Sequence, residues 1–132
     1  MVRSVVGIVF GVLIVTLLGT MANAVVFHGA AAGPMPAPLE LLLLLMHGLA
    51  AIAGGYMGAA VARRRPATHG LAVGVLYLLA VQLAPQMTVR LIPALVARPL
   101  WLTAVGMLVA LAGAVVGGTA RGQAERERAS AG

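Results

Sequence analysis

The chain has no cysteine and no lysine, only three acidic residues (Glu40, Glu125 and Glu127), and an aromatic content of 4% over 132 residues. Each scarcity removes a class of function. Without cysteine there is no disulfide framework, no thiolate metal site and no thiol nucleophile. Charged residues make up 9% of the chain, against about a quarter in soluble proteins. None lies between Arg3 and Glu40, which excludes ordinary cytosolic and disordered classes. The net charge of +6 comes from nine arginines that flank apolar runs without interleaved aromatics for stacking on bases, so no nucleic-acid partner is expected. Motifs of the forms G-x-x-x-x-G-K-[ST], G-x-S-x-G and H-E-x-x-H are missing. The seven methionines follow no copper-donor spacing and read as packing filler. The chain reads as not an enzyme, with no cofactor and no metal expected.

What is abundant is apolar surface, with 61% of residues hydrophobic. A compact sphere of this size cannot hide so much from water, so the expected solvent is lipid. A hydrocarbon layer of roughly 30 Å needs about 20 apolar residues in a helix. Four uncharged runs reach that length, giving predicted helices at about 4–27, 39–62, 68–89 and 100–120 and a tail at 121–132. Continuous rather than alternating hydrophobicity argues for helices over a β-barrel. The predicted fold class is therefore all-α, an integral membrane four-helix bundle.

The connections carry turn chemistry. Gly33, Pro34, Pro36 and Pro38 stiffen the first, and Pro38 suits the opening of the second helix. Arg63-Arg64-Arg65-Pro66 ends that helix, and Thr68 is the predicted N-cap of the third. Pro85, Arg90, Pro93, Arg98 and Pro99 punctuate the third connection, which either lies in the interface or dips back into the membrane, and Trp101 reads as an interfacial anchor. With the N-terminus inside, Arg3, Arg63, Arg64, Arg65, Arg121, Arg126 and Arg128 fall on the cytoplasmic side and only Arg90 and Arg98 on the other. The positive-inside bias thus predicts both termini cytoplasmic. The tail alternates Glu and Arg as a frayed, solvated helix end. Arg3, the apolar run to Leu18 and Ala22-Asn23-Ala24 also match a signal peptide, but Val25, Val26 and Phe27 prolong the run, and an uncleaved helix is expected.

Lipid tails compete with apolar side chains, so membrane helices associate by close backbone approach, which small residues at every fourth position permit. Helix one carries Gly7, Gly11, Gly19 and Asn23; helix two Ala50, Gly54, Gly58 and Ala62; helix four Gly106, Ala110, Ala114 and Gly118. Helix three carries Gly70, Gly74, Leu78, Gln82 and Gln86, so its small face turns polar toward the outer end. These lines predict a tight bundle that packs with further copies of itself or with other membrane subunits.

The stretch from Gly54-Gly55-Tyr56 through Ala62-Arg63-Arg64-Arg65-Pro66-Ala67-Thr68-His69-Gly70, with Pro99-Leu100-Trp101 and Gly117-Gly118, resembles a group of uncharacterised small bacterial membrane proteins with four transmembrane helices. The resemblance covers nearly the whole chain and implies a bacterial plasma (inner) membrane protein. It supplies no activity. Where many members of the group carry a histidine before the loop proline, this chain has Arg98, which weakens any metal role for that loop.

His47 lies about two turns inside helix two, where an ionisable residue invites a functional reading. Glu40, seven residues earlier, shares its face, and Arg90 or His28 could join them in a proton-relay, ion-pair or metal site. The simpler reading leaves Glu40 at a favourable helix N-terminus and a neutral His47 bonded to a partner such as Gln82. Asn23, Gln82 and Gln86 either line a solute path or act as interhelical hydrogen-bond glue. His69 is expected to cap or solvate. The leading functional expectation is an accessory, assembly or interaction subunit working through its helix-packing faces. The alternative is a small oligomeric channel or transporter with Glu40 and His47 near the pathway.

Overall fold

The computed structural model describes residues 2–28, 36–63, 65–88 and 100–132. Every element among them is helical: α1 (Val2–His28), α2 (Ala37–Ala62), α3 (Pro66–Thr88) and α4 (Leu100–Ser130). Arg90, Arg98 and the rest of 89–99 lie outside the described residues, as do the side chains of His28, Gln82 and Gln86. Three helices are long and apolar enough to cross a membrane, over Val2–Val26, Ala37–Ala62 and Ala104–Ser130. In α3 the apolar run among the fully described residues is Pro66–Ala80, and the side chains of 81–88 lie outside the description.

The helix ends follow from proline and arginine. Pro36 is extended, and its carbonyl accepts the first bonds of α2 from the Leu39 and Glu40 amides at 2.9 and 3.2 Å. Pro38 thus falls inside the first turn, where a missing N–H leaves nothing unmade. Arg63 closes α2 in the left-handed conformation, its N–H bonded to the Ala59 carbonyl at 3.1 Å. α3 opens at Pro66, two residues before the predicted cap Thr68, because the fixed φ of proline suits the first helical position. α4 does not fray at 120 but continues to Ser130. Good helix formers and the Arg121–Glu125 pair at 2.9 Å, one turn apart, support the extra turns.

Both α2 and α3 touch every other helix, whereas α1 and α4 do not meet among the described residues. The inner pair therefore forms the short diagonal of the bundle. Its core gathers Val15, Ala51, Val73, Tyr77, Ala110 and Ala114, with Val73 fully buried. A smaller cluster of Ala22, Val26 and Leu43 lies toward the opposite end from Arg3. Large apolar side chains point outward on all four helices, among them Leu13, Leu17, Leu45, Leu49, Leu79 and Leu108. Such a surface suits hydrocarbon as solvent.

Candidate functional site

The most constructed feature of the molecule is its set of backbone-to-backbone seams. A methyl group added at Gly7 would come within 2.6 Å of the Gly58 carbonyl oxygen, and one at Gly11 within 2.7 Å of the Gly54 carbonyl. α1 and α2 are thus held at a distance only hydrogen side chains allow. The two glycine pairs each serve two neighbours. Gly54 faces Val15 and Gly11 of α1, while Gly55, about 100° further round the helix, sits directly on the Ala114 carbonyl of α4. In α4, Gly117 meets the Ile52 carbonyl of α2, and Gly118 meets Pro66 and Gly70 of α3.

Of the residues expected at packing faces, Gly7, Gly11, Gly54, Gly58, Ala114 and Gly118 are all buried in these seams, and Ala110 is buried in the core. Gly106 is only half-buried, and a methyl there would meet nothing nearer than a Leu44 methyl at 3.6 Å. Gly19 leaves the backbone seam and forms a polar seat instead. A methyl group at Gly19 would stand 3.2 Å from the Tyr77 hydroxyl and 3.6 Å from Nε2 and Cδ2 of His47. Tyr77 is buried and His47 half-buried. His47 Nδ1 lies 2.8 Å from the Leu43 carbonyl of its own helix. A carbonyl only accepts, so Nδ1 carries a proton, and Nε2 is among the ring atoms nearest Gly19. Asn23 Nδ2 donates to the Gly19 carbonyl at 2.9 Å, which orients its amide on the same stretch of α1.

Glu40 is half-buried in the first turn of α2. The seven residues to His47 amount to a rise of about 10 Å, so the two share a face without touching. No three His, Asp or Glu side chains gather as metal ligands among the described residues. The Leu43 carbonyl is one partner of the His47 ring; the side chain of Gln82, the partner expected from the sequence, lies outside the description. Tyr77 was not legible as a site residue, although its place three residues after Gly74 puts it on the helix-three packing face.

At the other end, the approach of Gly7 to Ala62 and of Gly122 to Pro66 brings Arg3, Arg63, Arg65 and Arg121 to one rim. Arg121 bonds Glu125 and lies over the Tyr56 ring, 5.7 Å from its centre, within cation–π reach. Its Nε is buried with no acceptor among the described residues. His69, also buried, bonds the Arg65 carbonyl through Nδ1 at 3.0 Å and so braces the start of α3. Thr16 and Thr20 face outward but donate to the Val12 and Thr16 carbonyls at 2.9 and 2.7 Å, which leaves no unmet hydroxyl on that flank. No family model matches the chain, and no curated protein or solved structure does either.

Proposed function

We propose that this chain is a non-enzymatic integral protein of a bacterial plasma membrane that serves as an accessory, assembly or interaction subunit. Its small-residue faces close four crossing helices into a rigid bundle with both termini cytoplasmic, and the outward helix faces meet the partner. The observation that carries this reading is the filled axis: Val15, Ala51, Val73, Ala110 and Ala114 occupy the centre, with glycine seams on either side. A single bundle packed in that way leaves its outer faces as its working surface. The arginine rim supports the orientation, because it collects the cations of three helices at one end.

Since the chain has no cysteine, single cysteines report cleanly on neighbours. Cysteines placed at Leu13, Leu49, Leu79 and Leu108 sample one outward position per helix. In native membranes, one helix face should give a discrete cross-linked species, either a second copy or another subunit, while the others react only with lipid-soluble reagent. Uniform absence of cross-linking, with a monomer after mild solubilisation, overturns the proposal.

A second reading, a small oligomeric channel or transporter, is favoured by one feature, the convergence of the His47 ring and the Tyr77 hydroxyl on Gly19. On that reading, His47→Ala and Glu40→Gln abolish proton-coupled flux in reconstituted vesicles. Flux that persists in both variants removes this mechanism.

A further inference from the structure

We infer that Arg63 at the end of α2, Arg65 at the start of α3 and Arg3 in the first turn of α1 together form a clamp for the phosphate of an anionic phospholipid. The inference rests on the bilayer reading above but not on the partner it assigns. Gly7 lies so close to α2 that a methyl group on it would stand 3.0 Å from the Ala62 amide nitrogen. Arg3, one turn before Gly7 on the same face, therefore stands level with Arg63 and Arg65. All three arginines are exposed, and none has a carboxylate partner among the described residues. Arg121 differs, since Glu125 already engages it.

The backbone supplies an independent observation. Arg63 and Arg65 have φ of 54° and 43°, in the left-handed region where glycine is the ordinary choice. A chain with 17 glycines places arginine at both positions. The two guanidinium groups are thus carried at positions where local conformational preference favours glycine. Each of the two is also tied to the helix beside it. The Arg63 amide bonds Ala59 at 3.1 Å, and the Arg65 carbonyl accepts from both the His69 amide at 3.2 Å and His69 Nδ1 at 3.0 Å. Pro66 rests against Gly118 and Gly122 of α4. Cations held on a braced backbone lose less freedom on meeting an anion than cations on a loose tail. The N-terminus of α3 opens at the same point and adds its own favourable field for negative charge.

The apolar surroundings select a lipid rather than a free anion. Below the clamp, Val5 and Val6 of α1 and Leu71 and Val75 of α3 are exposed. Acyl chains can lie on this flank while the phosphodiester sits among the arginines.

The test uses the full chain in detergent micelles doped with phosphatidylglycerol or phosphatidylcholine. Bound lipid is read by native mass spectrometry, and helicity is checked by circular dichroism. The wild type should retain phosphatidylglycerol preferentially. Arg63→Gly/Arg65→Gly, which suits the backbone at both positions and so cannot fail through strain, should lower that retention about ten-fold or more with helicity unchanged. Arg126→Gln/Arg128→Gln should leave it intact. Equal retention of both lipids, an unaltered preference in the glycine variant, an equal loss in the Arg126/Arg128 variant, or full displacement by inorganic phosphate would each overturn the clamp. Protein that stays in aqueous supernatant without detergent would instead overturn the bilayer reading itself.

Discussion

At the scale of single residues, the molecule is decided by what glycines exclude. An added methyl at Gly55 or Gly117 would collide with the carbonyl of Ala114 or Ile52, which are backbone atoms unable to step aside. Gly55→Ala and Gly117→Ala should therefore lower unfolding stability by about 1–3 kcal/mol or more, measured by titration into a denaturing detergent. Gly106→Ala, which meets only a methyl at van der Waals distance, should stay near the wild type. The polar seat has a sharper signature. Gly19→Ala crowds the Tyr77 hydroxyl at 3.2 Å, and Tyr77→Phe removes the crowded atom. The double variant should thus recover part of the loss, with a coupling of about 0.5–3 kcal/mol in a double-mutant cycle. Strictly additive effects would show that the two residues do not share a site. Glycine lines were visible in the sequence because periodicity reveals one face at a time. The second role of each glycine pair was not visible, since assigning Gly55 and Gly117 needs the knowledge of which helix lies on which side.

For whole elements, the sequence located the helices well and their ends less well. Long apolar runs specify a helix wherever backbone groups lack solvent partners, so α1, α2 and α4 could be read directly. Ends depend on single residues. Pro66 opens α3 earlier than Thr68 could, and Arg121 with Glu125 carries α4 past the end of its apolar run. The bond from His47 Nδ1 to Leu43 was out of reach for another reason, because a backbone carbonyl one turn back leaves no trace in the choice of residue. His69 governs the opening of α3 through its bond to the Arg65 carbonyl. His69→Ala should cost about 1 kcal/mol and speed amide hydrogen exchange at residues 66–70, while exchange in α1 stays unchanged. Protection that persists there would show that Pro66 and its contacts with α4 suffice.

On the scale of the whole molecule, the proposed topology makes both ends neighbours on one side of the bilayer. Reporter fusions after Arg3 and after Gly132 should both be active in the cytoplasm, and a fusion within 29–35 only on the far side. Opposite locations for the two ends would overturn the four-crossing arrangement. That α1 and α4 do not meet among the described residues carries a consequence for biogenesis. A ribosome delivers α1 and α2 first, and their shared seam can zip as soon as Ala62 emerges. The other flank of α2, where Gly48, Ala51 and Gly55 await α4, is left bare until residues beyond 100 have been translated. On the proposed bilayer reading, a glycine-lined groove stands open to the hydrocarbon for that interval. A nascent chain halted before α4 is therefore a half-closed book, and quality-control machinery that surveys the bilayer would meet its unread page.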